Sequence, residues 1–194
     1  MNTLVLETTE VGEMPVDVYQ KLANDRILFI CNMITDALAT DIIATLLLKD
    51  SGDSESKITL FINSDGGDVR NALMIYDVMS MIHAPIETVC IGSAMDEAAI
   101  ILAGGTPGHR LATKNAVIAI SPLVHDWYSH SNLTDAKKIL DQSMSDNKRM
   151  MEIISKACRK PIKQVMEDFE RRVFMNSNQA AKYGLIDRVI TTSK

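Results

Sequence analysis

The sequence predicts an α/β fold in which a largely parallel sheet alternates with helices. Short apolar runs rich in β-branched residues and bounded by Asn, Asp, Gly or Pro are typical of buried strands. These runs alternate along the chain with segments of helical periodicity, which favours right-handed crossovers between parallel strands. The chain has 194 residues, a length that predicts one domain with a sizeable core. We therefore expect a single α/β domain over residues 1–194.

The elements follow from this alternation in chain order. A strand over 27–31 precedes a helix over 36–49, and a strand over 58–62 precedes a helix over 68–82. A third strand, 86–91, leads into a helix over 94–103, and a fourth strand covers 116–121. After a long helix, 132–160, come a short helix over 177–183 and a last strand over 185–190.

The predicted helix over 132–160 is unusually long for a domain of this size. Asn132 and Asp135 resemble a capping pair at its start, and Pro161 fits a stop at its end. At 1.5 Å per residue, such a helix is a rod of roughly 40 Å. Two interpretations remain: a surface helix lying across the sheet, or an oligomerisation arm. An apolar seam at helical spacing, partly of methionine, favours the arm; its members are Leu133, Ala136, Leu140, Met144, Asn147, Met151, Ile154 and Cys158.

Composition excludes several classes of protein. The net charge of −5 argues against nucleic acid as a principal partner, which would require a concentrated basic face. With 46% hydrophobic and 23% charged residues, the chain is typical of a soluble globular protein. Three cysteines without a C-x-x-C spacing predict neither a disulfide framework nor a zinc site. We expect a cytoplasmic protein, or one in an equivalent organelle compartment, with no membrane span, no metal and no cofactor.

Two loops are expected to carry any chemistry. Residues 63–68 follow a predicted strand and contain the paired glycines Gly66 and Gly67, which allow a close approach of the backbone to a ligand. Residues 92–97 follow the next strand and contain Gly92. In α/β hydrolytic enzymes a turn of this second kind often holds a nucleophile. The alternative for each loop is a tight turn without a catalytic role.

Several segments resemble the ClpP family, the proteolytic subunits of the Clp ATP-dependent protease. Residues 61–67 (F-I-N-S-D-G-G) resemble the family segment Y-I-N-S-P-G-G, and residues 92–96 (G-S-A-M-D) fall where the family has G-Q-A-A-S. Residues 180–187 (A-A-K-Y-G-L-I-D) match its closing segment. The resemblance implies the ClpP/crotonase superfamily fold, with a head of repeated β-β-α units (1–131 and 161–194) and a projecting handle helix (about 132–160).

The departures from the family concern its catalytic triad. The resemblance places the nucleophilic Ser at Asp96, the general-base His at Ser121 and the orienting Asp at Arg172. The backbone N–H groups of Gly67 and Glu97 would form a vestigial oxyanion hole. A carboxylate at Asp96 beside that hole would oppose the negative charge of a serine-protease transition state. The resemblance therefore implies a non-catalytic, ClpR-type member with no catalytic residue at these three positions.

The resemblance also implies partners. Family subunits form seven-membered rings that stack through their handles, and Clp AAA+ ATPases dock on the ring faces and feed in unfolded protein substrates. Phe61 is the candidate residue for ATPase docking, with Thr59 where a Tyr is common in the family. The adjacent charges of Arg171 and Arg172 disfavour stacking of identical rings and favour an acidic partner surface. We expect homo- or hetero-oligomeric rings with ClpP-type subunits.

Two other functions remain open. One is an active serine-type endopeptidase with a relocated nucleophile, for which Ser93 and His125 are the candidates. The other is a crotonase-like enzyme acting on acyl-CoA thioesters, since that superfamily shares the fold and pairs N–H groups with carboxylates such as Asp96 and Glu97. The lack of an evident adenine-nucleotide loop argues against the second.

Overall fold

A computed structural model describes residues 4–9, 12–122 and 133–191. Its strands are β1 (Leu4–Thr9), β2 (Gly12–Asp17), β3 (Ile27–Cys31), β4 (Ile58–Ser64), β5 (Ile86–Met95), β6 (Arg110–Thr113), β7 (Val117–Ile120), β8 (Val173–Asn176) and β9 (Arg188–Ile190). Its helices are α1 (Val18–Asn24), α2 (Asp36–Gly52), α3 (Val69–Met81), α4 (Glu97–Ala103), α5 (Leu133–Cys158), α6 (Ile162–Glu170) and α7 (Ser177–Tyr183).

The main sheet confirms the predicted α/β fold with mostly parallel strands. Strands β3, β4, β5, β6 and β9 are adjacent in that order and parallel. Strand β7 also pairs in parallel with the end of β5, and β8 runs antiparallel to β7. The hairpin of β1 and β2 forms a separate antiparallel pair.

The end of β5 shows the largest difference from the predicted elements. The strand continues to Met95, so that the helix expected from residue 94 begins only at Glu97. The cause is a second pairing: Ser93, Ala94 and Met95 lie opposite residues of β7 after the strand has left β6. This extension carries residue 96 to the edge where β7 and β8 meet.

Other differences concern six further elements and the turn after α7. The elements β1, β2, β6, β8, α1 and α6 lie outside the predicted set. Strands β6 and β8 form by pairing with β5, β9 and β7, which are distant in sequence, so local residue patterns do not predict them. Leu185 and Ile186 were expected in the last strand but are buried core residues before it. The N–H of Leu185 donates to the Ala180 carbonyl at the end of α7, so that β9 begins only at Arg188.

The long helix α5 spans Leu133–Cys158, two residues short of the predicted end, and Asn132 lies outside the described residues. Its buried stripe is Ser143, Asp146, Met150 and Ile154. This stripe is displaced from the predicted seam, in which Leu140 and Met144 are exposed. Residues 134–142 contain no buried side chain, so the first half of α5 extends beyond the core. No helix in the described ranges is both long and apolar enough to cross a membrane.

Candidate functional site

Asp96, Ser121 and Arg172 lie far apart in sequence and meet at one place in the fold. Asp96 joins β5 to α4 with a φ of 51° and a ψ of −109°, and its N–H donates to the Ala119 carbonyl on β7. Ser121 directly follows β7, and its Oγ donates to Asp96 Oδ1 at 2.8 Å. Arg172 directly precedes β8, which pairs with β7. The sheet therefore assembles the three positions that the resemblance selects.

Two charges act on the Asp96 carboxyl in this arrangement. Burial raises its pKa above the ordinary value, and the charge of Asp65 acts in the same direction. The hydrogen bond from Ser121 and the positive charge of Arg172 oppose this effect without reversing it. Within the described ranges, His83 and His109 lie near Asp50 and Glu87 instead. The three positions thus hold an acid, a hydroxyl and a cation, and none of them provides the imidazole base that a serine nucleophile requires.

The loop between β4 and α3 contains Gly67, one of the two residues at which an oxyanion hole is expected. The N–H of Ile34 donates to the Gly66 carbonyl, and the N–H of Asp68 donates to the Ile34 carbonyl, each at 3.0 Å. These bonds hold the Gly67 backbone against Ile34 and leave its N–H directed towards the start of α4. A Cβ at Gly67 would lie 2.5 Å from the Ile34 nitrogen, so only glycine fits.

The side chain of Glu97 contacts this loop at the position where the oxyanion hole is expected. Its Oε2 accepts the N–H of Gly67 at 3.0 Å, and the residue is 7% exposed. The resemblance points to Glu97 for its backbone N–H and puts its acid group near the expected hole, but the contact of its Oε2 with the Gly67 N–H is found only in the fold. The signal for it is the residue type: a glutamate directly after the turn is long enough to fold back to the neighbouring N–H groups.

Burial is the largest influence on the Glu97 carboxyl and raises its pKa. Hydrogen bonds from the Gly67 N–H and from its own backbone N–H favour the charged form, whereas the negative charges of Asp96 and Asp68 disfavour it. The net effect is a raised pKa. Two adjacent carboxyls, Asp96 and Glu97, are therefore both harder to ionise in the folded chain than in the unfolded chain.

We expect Glu97→Gln to change the pH dependence of stability. Because the folded-state pKa lies above the ordinary 4.5, the stability that protonation provides is complete below pH 4.5 and is lost as the pH rises through the raised pKa. Urea unfolding of wild type and variant from about pH 4 to pH 8 should show the variant gaining stability relative to wild type across this range. Asp96→Asn should behave likewise, with the stabilising effect of protonation complete below pH 3.8, the ordinary pKa of an aspartate, and lost above it. A pH-independent difference, or one of opposite sign, would contradict the assignment.

Ser93, the candidate relocated nucleophile, contacts a carboxylate. Its Oγ donates to Asp65 Oδ1 at 2.6 Å, and its N–H donates to Asn63 Oδ1 at 3.0 Å. These residues line a small surface cavity of about 320 Å³ together with Asn32 and Met33. The structure thus places Ser93 beside an acid; His125, its expected base, lies outside the described residues.

Phe61, the candidate for ATPase docking, belongs to an aromatic row that crosses α1, β3 and β4. Its ring stacks on Phe29 with centroids 5.5 Å apart, and Phe29 meets the edge of Tyr19 at 5.4 Å. Thr59 donates its hydroxyl to Glu87 Oε1 at 3.3 Å. Thr59 and Glu87 therefore form a polar pair at the position where a Tyr was expected from the resemblance. The docking role of Phe61 stays a prediction.

Potential metal ligands are dispersed in the part of the chain that the structure describes. Over residues 4–9, 12–122 and 133–191, no group of three or more His, Cys, Asp or Glu side chains is arranged to hold an ion. Cys31, Cys90 and Cys158 are free thiols in this part. The carboxylates of the candidate site instead accept hydrogen bonds from Ser93, Ser121 and Gly67.

The mostly parallel sheet, its flanking helices and the strand–turn–helix at residue 96 are consistent with a ClpP-type fold. The chain belongs to the Clp protease family, whose family model matches residues 10–193. It is 35% identical over 192 residues to the ATP-dependent Clp protease proteolytic subunit 2 of Streptomyces coelicolor, with 97% of this chain and 86% of the relative covered. It is 38% identical over 188 residues to the ATP-dependent Clp protease proteolytic subunit 1 of Tropheryma whipplei, covering 97% and 91%.

Proposed function

We propose that this chain is a non-catalytic, ClpR-type subunit of a Clp protease, which shares rings with an active paralogue. The observation that carries the proposal is the hydrogen bond from Ser121 Oγ to the carboxylate of Asp96. At the positions where the family has its nucleophile and its base, a hydroxyl donates to an acid. An aspartate carboxylate is a far weaker base than imidazole, because its ordinary pKa is lower by about 2.5 units.

A second feature supports the assembly part of the proposal. Large apolar side chains are exposed on the outer part of α5 and at β8, and the 64% exposure of Phe174 shows how little of it the head covers. The exposed residues on α5 are Ile139, Leu140 and Met144, of which Leu140 and Met144 lie one helical turn apart on the same face. Exposed apolar side chains grouped in this way on a helix are typical of an interface with another protein. By contrast, Met150 is fully buried and belongs to the core of the head.

Arg172 favours a non-identical partner for this surface. It is exposed, it follows Arg171 directly, and it adopts a φ of 50° immediately before β8. Two adjacent cations meeting their own copies across a symmetric contact would repel each other. An acidic surface on a different subunit would instead attract the two arginines. We therefore propose hetero-oligomeric rings with a ClpP-type subunit.

We expect the purified full-length chain to show no labelling by a fluorophosphonate probe and no cleavage of a fluorogenic peptide. The physical reason is the missing base at the substituted triad. The probe reacts with activated serines, so intact-protein mass spectrometry gives the result directly. Native mass spectrometry of the chain co-expressed with a catalytic ClpP-type subunit should show mixed rings. A proteolytically active two-ring assembly formed by this chain alone would refute both parts of the proposal.

The contact of Ser93 with Asp65 allows one alternative to be tested in the same experiment. If the chain is a peptidase with a relocated nucleophile, the probe will attach to Ser93, and Ser93→Ala will abolish the labelling. Ser121→Ala is the matched control, because it removes the hydroxyl that contacts Asp96 without touching Ser93. Labelling that Ser93→Ala removes and Ser121→Ala preserves would establish the peptidase.

A further inference from the structure

The position of the Glu97 side chain depends on the two glycines that face it. A Cβ at Gly66 would collide with Glu97 Oε2, so the carboxylate enters space that a side chain at residue 66 would fill. Gly67 then presents its N–H to the same oxygen at 3.0 Å. In a peptidase, the space beside this glycine pair would receive the substrate. In this chain, the Glu97 side chain lies there.

Among the described residues, the main-chain hydrogen bonds around Gly67 leave its N–H to the Glu97 side chain. The neighbouring bonds, Ile34 N–H to Gly66 carbonyl and Asp68 N–H to Ile34 carbonyl, use the groups on either side of it. The Gly66 carbonyl belongs to the same peptide unit as the Gly67 N–H, so its bond to Ile34 leaves that N–H directed at the Glu97 carboxylate. A carboxylate oxygen there accepts a charge-assisted hydrogen bond, which is stronger than one to a neutral acceptor.

We infer that Glu97 is a built-in occupant of the oxyanion pocket, which closes the pocket independently of the substituted triad. This inference rests on the proposed function, because it takes the turn at residue 96 to be the former catalytic site. The Glu97 carboxylate holds the Gly67 N–H that a substrate carbonyl would need. A developing oxyanion would also meet the charge of Glu97 at close range, with Asp96 and Asp68 nearby. Like charges about 4 Å apart repel each other, and more strongly in a partly dry pocket.

The first test measures hydrogen exchange at the Gly67 amide in the full-length chain. Glu97→Met keeps the length of the side chain and removes the acceptor, so exchange at Gly67 should accelerate at least about tenfold. Glu97→Gln retains an oxygen acceptor and should preserve most of the protection. Glu87→Gln is the matched control, since this partly exposed glutamate on β5 accepts from Lys57 and Thr59 instead. Unchanged protection of Gly67 in Glu97→Met would overturn the inference.

The second test restores the triad by Asp96→Ser, Ser121→His and Arg172→Asp, with and without Glu97→Met. In the labelling reaction the Ser Oγ bonds to phosphorus, fluoride leaves, and the imidazole takes the hydroxyl proton. Because one oxyanion donor is worth about 10² to 10³ in rate, adding Glu97→Met should accelerate labelling by roughly 10²-fold. If both variants are labelled at the same measurable rate, the inference is overturned. If neither variant is labelled, hydrogen exchange at the Gly67 amide decides.

The two proposals fail in different experiments. Labelling of the wild-type chain by fluorophosphonate would refute the proposed non-catalytic function. If Glu97→Met does not change hydrogen exchange at Gly67, the inference that Glu97 occupies the pocket is refuted. That result would not affect the proposal that the chain is non-catalytic. A wild-type chain that is not labelled, together with accelerated Gly67 exchange in Glu97→Met, supports both.

Discussion

Replacing Arg110 by methionine should lower the free energy of unfolding by about 2 to 3 kcal/mol, because hydrogen bonds that involve a charged group contribute about 1.5 to 3 kcal/mol and the guanidinium end of this ion pair is buried. Arg110 is 7% exposed, and its guanidinium donates to both carboxylate oxygens of Asp187, at 3.1 and 2.6 Å. It also donates to the carbonyls of Ala157 in the last turn of α5 and Gly184 after α7. Methionine fills similar volume and supplies none of these bonds.

The pH dependence should identify the ion pair as the cause. Burial acts to raise the pKa of Asp187, but the hydrogen bonds and charge of Arg110 hold it below its ordinary 3.8. The stability that this pairing provides is therefore present above pH 3.8 and lost as the pH falls through the lowered pKa. Urea unfolding should show the deficit of Arg110→Met narrowing in this acidic range.

Lys57→Met is the matched control for the Arg110 variant. Lys57 contacts Glu87 Oε1 at 2.8 Å, but its side chain is 42% exposed. An exposed ion pair contributes less than about 1 kcal/mol. If both variants lose the same stability, then Arg110 does not join α5 to the sheet in the way described. A larger loss for Arg110→Met, with weaker assembly into rings, would link this contact to the placement of α5.

The second large effect is expected for Gly67→Ala, which should cost about 2 to 4 kcal/mol. Overpacking of this kind costs about 1 to 3 kcal/mol, and a disturbed hydrogen bond adds about 1. The new Cβ would lie 2.5 Å from the nitrogen and 2.6 Å from the oxygen of Ile34. Both are backbone atoms, so no rotamer change relieves the contact. The loop or the segment at Ile34 must shift, which breaks the bonds that fix the pocket.

Gly52→Ala provides the control for Gly67→Ala. Gly52 is the last residue of α2, and a Cβ there would meet no atom within 4 Å. Alanine in a helix is favoured over glycine by roughly 0.5 to 1 kcal/mol, so Gly52→Ala should be neutral or slightly stabilising. Thermal and urea unfolding of the two variants provide the comparison. If the Gly67→Ala and Gly52→Ala variants are equally stable, the close contact between residue 67 and the Ile34 backbone is contradicted.

Local sequence predicted the bounds of some elements well. The strand at residues 27–31 and the helix at 177–183 have the predicted bounds, because β-branched runs and capping residues act over a few neighbours. The extension of β5 could not be predicted in this way. Its last residues pair with β7, a strand more than twenty positions away, and no local pattern distinguishes Ala94 in a strand from Ala94 in a helix.

The fold class, the family resemblance and the residues at the three positions that the resemblance assigns to the triad can be read from the amino-acid sequence alone. These depend on residue order and residue type, which the chain carries without folding. The contacts from Ser121 to Asp96 and from the Gly67 N–H to the Glu97 carboxylate become visible only in the folded chain. The reason is physical: both contacts need strands and loops about 25 to 30 residues apart to meet, and the direction of a long side chain is set by the space its neighbours leave.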